Sequence, residues 1–316
     1  MAKSIALIGA GAMGKNHART IANNSECSLE IVIDVDRERS KEVASVYGCE
    51  ASDDIELAFR CDAVVLASST PTHYEIAKVL LGNGIPVLIE KPLAATLEQT
   101  RSLVEFSQRL DVAIMCGFVE RFNPVVIAAK NLLEQGERVV SVSTKRHSPV
   151  TGRSSSSVTW DLLIHDIDLV LNLFGQVVPS SVQAISLSVP NSEFVEVTEA
   201  IVGFGDASAS LSSSRIGHRK IREVSITTDR RLLELDLLRQ TLTTYQNVRQ
   251  EQILAGLTTY RAETVIDIPF VRRSGEPLEL QLRHFMEILD NKIDARVERD
   301  SICLPHEVAE MVENCN

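Results

Sequence analysis

The rhythm of apolar and polar positions changes partway along this 316-residue chain. In the first third, short apolar runs alternate with stretches whose apolar residues recur at three- and four-residue steps. Ser4–Ile8, Leu29–Val35, Ala63–Ala67, Pro86–Glu90 and Val112–Cys116 read as strands. A stretch running to about Asn23, then Arg37–Tyr47, Thr72–Leu81 and Thr96–Leu110, read as helices. Apolar strands between amphipathic helices predict a parallel sheet covered on both faces. Later, Val139–Thr144, Ser181–Val189, Val195–Phe204, Ser208–Arg215, Glu223–Thr228, Leu232–Leu237 and Val265–Pro269 alternate apolar with small polar residues. That suits strands of a sheet with two different faces. Val125–Leu133, Pro277–Asn291 and Glu307–Glu313 read as helices, the last expected to pack back on the first domain. The last parallel strand gives way to a turn near Gly117–Pro124, so the expected domains are 1–119 and 120–316.

In Trp160–Gly175 the Leu, Ile, Val and Phe residues spread all round a helical wheel, as in a core helix. Asp161, His165, Asp168 and Asn172 recur at steps of four, three and four, which puts them on one helical face. Buried polar groups need partners. The line therefore either satisfies itself or borders a cavity for a polar ligand.

The first strand runs into Gly9-Ala-Gly-Ala-Met-Gly14 and then a helix, and the second strand contains Asp34, twenty residues beyond Gly14. This is a dinucleotide-binding fingerprint in its strand–turn–helix context, and it predicts a Rossmann doubly wound domain. Gly9 permits the turn, Gly11 admits a pyrophosphate to the helix start, and Gly14 allows close packing; Ala12 and Met13 complete the loop. Asp34 can accept from the adenosine ribose hydroxyls, and its charge favours NAD over NADP. Arg37 and Arg39 follow closely and can stack on adenine or reach a phosphate, so NADP stays open.

Ligands of such sheets lie at the carboxyl ends of the strands. Two segments fall there: Ser68-Ser69-Thr70-Pro71-Thr72-His73, and Glu90-Lys91-Pro92. Both are candidates for holding the cofactor, with His73 read as capping or packing its helix rather than reacting. Lys91 ends a buried strand where the nicotinamide should lie. Oxidation of a secondary alcohol removes a hydride from carbon and a proton from oxygen. His165 suits the proton near neutral pH. Asp161 can hold the imidazole tautomer, and Lys91 can donate to the developing alkoxide; the roles of Lys91 and His165 can be exchanged. Asp168 and Asn172 are expected to be structural partners. Arg121 and Asn123 sit at the domain junction and are candidates for substrate contact. Arg146 and Arg153 are candidates for gripping an anionic group. His218-Arg219-Lys220 reads as a surface turn.

The net charge of −11 argues against nucleic acid and anionic membrane surfaces. No apolar run approaches the ~20 residues of a membrane span, and no signal peptide is recognisable. Six cysteines without a C-x-x-C pair read as reduced thiols in a cytoplasmic protein, with no metal site.

The ordered set Gly9-x-Gly-x-x-Gly14 with His17, Thr70-Pro71-x-His73, Glu90-Lys91-Pro92, Gly117-Phe-x-x-Arg-Phe-Asn-Pro124 and Asp161-x-x-x-His165-Asp-Ile-Asp168 resembles the glucose–fructose oxidoreductase and inositol dehydrogenase family (Gfo/Idh/MocA). The resemblance spans nearly the whole chain. It implies a Rossmann domain followed by an α+β domain with an open, mostly antiparallel sheet, which often pairs across a subunit interface in dimers or tetramers. It implies catalytic roles for Lys91, Asp161 and His165, and a cis bond before Pro92. Many members have a Gly-rich run before D-x-x-x-H, where this chain has Ser154–Ser157, Val158, Thr159 and Trp160. With Lys145–Arg153 this looks more like the branch acting on nucleotide sugars such as UDP-N-acetylglucosamine. A dehydrogenase of inositol or a free sugar is the alternative. A non-catalytic NAD(H)-binding regulator is another class, with no need for Lys91, Asp161 and His165 together.

Overall fold

A computed structural model describes residues 2–133, 136–150, 156–190, 192–254, 257–272 and 275–315; for 249–254 and 257–262 it describes the backbone. The chain divides into two compact units, Met1–Val119 with Gly275–Glu307, and Glu120–Ser274 with Val308–Asn316.

The first unit begins with β1 (Lys3–Ile8), α1 (Ala12–Ala22), β2 (Cys27–Ile33), α2 (Arg37–Tyr47), β3 (Glu50–Ser52) and β4 (Ala63–Leu66). It continues with α3 (Thr70–Gly82), β5 (Val87–Ile89), α4 (Leu97–Leu110) and β6 (Ile114–Cys116). The six strands are parallel in the order β3-β2-β1-β4-β5-β6. Their apolar runs are buried throughout β4, β5 and β6, as a sheet covered on both faces requires. Strand order reverses between β1 and β4, so the loops after these strands flank a crevice at the carboxyl edge. Strand β3, Glu-Ala-Ser, has no apolar run and was not expected. Helix starts follow local chemistry. Asp36 accepts from the N–H groups of Glu38 and Arg39 at the start of α2, and Thr96 accepts from Gln99 at the start of α4.

The second unit holds α5 (Pro124–Leu133), β7 (Val139–His147), a π-helical turn (Thr159–Leu163) and α6 (Ile164–Leu173). The strands β8 (Ser181–Ser188), β9 (Val195–Phe204), β10 (Ala207–Ser214) and β11 (Ile221–Thr228) follow. They continue with β12 (Arg231–Asp236), β13 (Thr241–Leu254) and β14 (Leu257–Asp267). The sheet order is β14-β13-β12-β11-β7-β10-β9-β8. Neighbours are antiparallel except β7 and β10, which run parallel. One face is packed by α5, the π-helical turn and α6. The other leaves Ile185, Leu187 and Ile201 more than half exposed. The hairpin of β13 and β14 exceeds the strand expected at Val265–Pro269, which is its tail.

The chain ends with α7 (Pro277–Leu289), α8 (Ala295–Asp300) and α9 (Cys303–Glu313). Gly275–Glu307 belongs to the first unit, which corrects the contiguous domains 1–119 and 120–316. The cause is an apolar stripe on α7: Leu278, Leu282, Phe285, Met286 and Ile288 are buried, and α7 packs on α1. Arg19 on α1 also makes a forked pair with Glu276, at 3.0 and 2.7 Å. Among the described residues no helix is long and apolar enough to cross a membrane.

Phe285 is fully buried in this seam. Phe285→Ala should cost ~3–5 kcal/mol of stability in urea unfolding, the range for a large aromatic removed from a core. A loss below ~1 kcal/mol would show that α7 is not part of that core.

Candidate active site

The first unit brings the expected dinucleotide residues to one edge. Gly9 ends β1 at φ +99°, and a Cβ there would lie 2.5 Å from the Ala67 carbonyl carbon and the Ser68 nitrogen. A Cβ on Gly14 would lie 1.9 Å from the Gly9 oxygen. The turn is thus seated against the end of β4 only because both positions lack side chains. Gly11 differs: nothing lies within 4 Å of the place a Cβ would take. It caps α1, whose first N–H groups have no intrahelical acceptor and whose first turn carries no acid. Ala12, Met13, Ser69 and Pro71 are exposed, and Thr70 half-buried, around that space. An open cradle of N–H donors at a helix start fits a pyrophosphate, so these residues fit a dinucleotide cofactor.

Asp34 is buried beneath this turn. Its Oδ2 accepts from the Ala10 N–H at 2.7 Å and its Oδ1 from Asp36 at 2.9 Å. Each carboxylate oxygen keeps acceptor capacity beyond one bond. Arg39 approaches Oδ1 at 3.8 Å and also pairs with Asp36.

Lys91, half-buried, follows β5 at the same edge, and its bond to Pro92 is cis. Three buried histidines from three helices fix the residues around it. His17 of α1 meets the Glu90 Oε1 at 2.7 Å. His73 of α3 lies between the carbonyl oxygens of Ser68, at 3.0 Å, and Pro92, at 3.1 Å. His306 of α9 accepts from the Leu93 N–H at 3.0 Å and donates through Nδ1 to the Ile302 oxygen at 2.7 Å. Burial pushes the Glu90 carboxyl up, but its bond to His17 and the charges of His17 and Lys91 outweigh this and hold it below the usual range. Burial chiefly lowers His73, against the two carbonyls that favour its cation.

Glu90 and His73 were read as cofactor contacts, yet both are buried with their polar atoms turned to protein groups. They hold the lysine loop. His306 was missed, since it lies 213 residues from Leu93. Gly117 was read only as part of a turn. A Cβ there would lie 3.0 Å from the Glu90 Cα and 3.1 Å from the Lys91 nitrogen, so the loop also leans on it.

In the second unit, Asp161 lies in the π-helical turn, where Ile164 donates to the oxygen of Thr159. The four-residue step to His165 therefore does not fall on one regular α-helix, which shifts Asp161 off the expected straight line. Its Oδ2 is 3.3 Å from Arg215 Nη1. Arg215, unforeseen from the sequence, also binds Glu196 at 2.8 Å and the carbonyl oxygens of Ser156 and Val195. His165 is half-buried on the first turn of α6. Asp168 pairs with Arg121 through Nε at 2.8 Å, and Asn172 accepts from Lys130 at 2.6 Å, so both are structural partners.

The expected substrate contacts fare differently. Arg121 is committed to Asp168, with both side chains almost buried. Asn123 is 2% exposed; its amide donates to Glu120 and to the Leu237 oxygen, and its Oδ1 accepts from Val125 at the start of α5. Arg146 is 3% exposed and bridges Asp166 at 2.7 Å and Glu120 at 2.8 Å. Burial works against the Arg146 cation, but these two carboxylates raise its pKa above the ordinary value. None of the three is free to grip a ligand anion; their polar groups neutralise the interior instead. Arg153 lies outside the described residues.

Residues 3–118 match the Gfo/Idh/MocA oxidoreductase family with its NAD-binding Rossmann fold. The chain is similar to the UDP-N-acetylglucosamine 3-dehydrogenase of Acidithiobacillus ferrooxidans, 29% identical over 261 residues that cover 82% of this chain and 81% of that protein. A solved structure of that enzyme covers 100% of this chain and 97% of its own, at 25% identity and a TM-score of 0.85. The chain is also similar to an inositol 2-dehydrogenase of Rhizobium meliloti, 31% identical over 179 residues, 54% of each chain.

Arg146→Met should cost ~3–5 kcal/mol in urea unfolding, because Asp166 and Glu120 lose the buried cation that they share. A change below ~1 kcal/mol would return Arg146 to the list of ligand contacts. His73 generates a pH dependence. Its folded pKa is depressed, so its contribution is complete above the ordinary value of about 6.5 and is lost as pH falls below it. The urea midpoint should therefore drop between about pH 7 and 5, and the drop should shrink in His73→Gln. An unchanged drop in that variant would show that His73 is not its source.

Proposed function

We propose, from the match of residues 3–118 to the Gfo/Idh/MocA oxidoreductase family, that the chain is an oxidoreductase of that family and oxidises a secondary alcohol of a sugar, a nucleotide sugar such as UDP-N-acetylglucosamine above others. The observation that carries the reading is Lys91, fixed by its neighbours at the strand edge that also holds the dinucleotide cradle. NAD bound in that cradle supplies the hydride acceptor. His165 takes the hydroxyl proton, as an imidazole general base can. Asp161, itself held by Arg215, orients the imidazole and favours its cation. Lys91 donates a hydrogen bond to the same oxygen and lowers the cost of alkoxide charge. Exchange of the Lys91 and His165 roles leaves the overall balance unchanged: one hydride to nicotinamide, one proton to the protein, one ketone formed.

Asp34 supports NAD over NADP, because its buried carboxylate would repel a 2′-phosphate. The nucleotide-sugar choice is supported by similarity across four-fifths of both chains to a UDP-N-acetylglucosamine 3-dehydrogenase. Similarity to inositol 2-dehydrogenase keeps a cyclitol or free sugar as the second reading. A second copy of the chain is proposed to cover the open sheet face, where Ile185, Leu187 and Ile201 are exposed.

The test is NADH formation, read by absorbance, across UDP-N-acetylglucosamine, other UDP-sugars, free hexoses and inositols, with NADP run in parallel. Turnover should appear with a UDP-sugar and NAD, and His165→Ala should lower kcat at least ~100-fold. Turnover with inositols alone would discard the nucleotide-sugar substrate. Silence across the panel with tight NADH binding would overturn the enzymatic reading in favour of a dinucleotide-binding regulator.

A further inference from the structure

The amino-terminal edge of the parallel sheet, opposite the dinucleotide cradle, carries a cleft of about 630 Å³. It lies between the segments leading into β5 and β6 and the stretch from the end of α7 through α8. Its apolar wall includes Ala113, Ile114, Ile288 and Ile293, and Arg296 and Arg299 line it as well.

The two arginines differ. Arg296 is exposed, and its guanidinium is held by both carboxylate oxygens of Asp294 through Nε and Nη2. Arg299 has a side chain only 8% exposed. Its Nε is sealed from solvent and has no hydrogen-bond partner. Among the described residues its one ion pair is with the neighbouring Asp300, at 3.6 Å, and that carboxylate is itself 73% exposed. A guanidinium presents five N–H donors in a planar fork. A buried one ordinarily has them satisfied, because an unpaired buried charge is costly. The other buried arginines show the rule: Arg146 has two carboxylate partners, and Arg215 has two carboxylates and two carbonyl oxygens. Of the two acids that line the cleft, Asp294 is already engaged by Arg296, and Asp111 forms no ion pair with Arg299.

We propose that this cleft is a second ligand site, which takes a small molecule with a carboxylate or phosphate group on a short apolar body. The oxyanion seats on the two terminal Nη groups of Arg299, which unlike Nε are not sealed from solvent, through two parallel N–H···O bonds. The apolar body lies along Ile288, Ile293, Ala113 and Ile114. Net compensation of a buried cation and burial of the ligand's apolar surface act together, a combination that neither Arg296 nor the exposed lysines of the surface offers. The site is separate from the cofactor edge and requires none of the residues assigned to catalysis.

The probes are hexanoate and hexyl phosphate, titrated by calorimetry into the full-length protein with saturating NADH, and hexylammonium as the cationic control. Both anions should bind, or one of them alone, which would tell carboxylate from phosphate; hexylammonium should not. Arg299→Gln should weaken the bound anion by at least about tenfold. Ala295→Trp, which puts a large ring into the cleft and leaves the guanidinium charge in place, should do the same. The thermal midpoint and NADH affinity of the Trp variant serve as the folding control. Absence of heat from both anions, equal heat from hexylammonium, or anion binding unchanged in both variants would each overturn the proposal.

Discussion

Inside the first unit the carboxylate of Glu90 meets the Nε2 of His17 at 2.7 Å, and the residue that follows it is Lys91. A carboxylate in a dry interior would normally gain a proton, because burial penalises its charge. Here the contact with His17 and the charge of Lys91 reverse that, and the group is held as an anion. The consequence is geometric. An anion buried with a fixed partner cannot move without leaving one charge uncompensated, so the end of β5 is nailed to α1. The carbonyl of Pro92 and the N–H of Leu93 are taken up in turn by His73 and His306. The lysine loop thus has a polar anchor on each side, drawn from three helices far apart in sequence. His73 is the anchor under tension. Both its nitrogens face carbonyl oxygens, yet a neutral imidazole has only one N–H to give, and burial opposes the cation that would serve both.

The second unit uses charge differently. Helix α6 is held from several directions by residues that alternate along it. Asp166 reaches Arg146 on β7, Asp168 reaches Arg121, and Asn172 reaches Lys130 on α5. Beneath it Glu120, Arg146, Asp166 and Arg222 share one interior, where burial and the nearby Arg146 push Arg222 down to about 10. Such clusters are poor sources of net stability, since desolvation offsets attraction. They are strong sources of position, because every member loses its compensation if the helix shifts or rotates.

Much of the first unit was legible because its information is local. A parallel strand covered on both faces must be a continuous apolar run, and a glycine turn before a helix is constrained by atoms within a few residues of it, as the 1.9 Å approach to the Gly9 oxygen shows. The exceptions follow from the same physics. Glu50–Ser52 has too few residues to display a period. Thr241–Leu254 carries mostly polar side chains, so no apolar face announced it. The return of Gly275–Glu307 to the first unit depends on the fit of α7 to α1, which neither segment reveals by itself. Charged residues were the least legible. The sequence presents Arg146 as a cation in want of an anion, but not whether that anion belongs to a ligand or to Asp166, twenty residues onward.

The residues read as chemical and those read as structural are interleaved, and this interleaving explains why the expectations divided as they did. Glu90 and Pro92 are anchored, and Lys91 between them keeps a half-buried side chain. Asp166 is fully buried against Arg146, and His165 beside it stays half-buried. In a strand or helix, adjacent side chains point to different sides of the backbone. A buried polar residue can therefore fix the backbone while its neighbour is presented outward at a defined place. Reactive side chains need that preorganisation, because a displacement of about 1 Å at the reacting atoms can cost ~100-fold in rate. A motif such as Glu90-Lys91-Pro92 or His165-Asp166 is then best read as a pair of jobs. Assigning every member of such a motif to the ligand, as Glu90, His73 and Arg146 were, overlooks how many polar groups are required to hold one of them still.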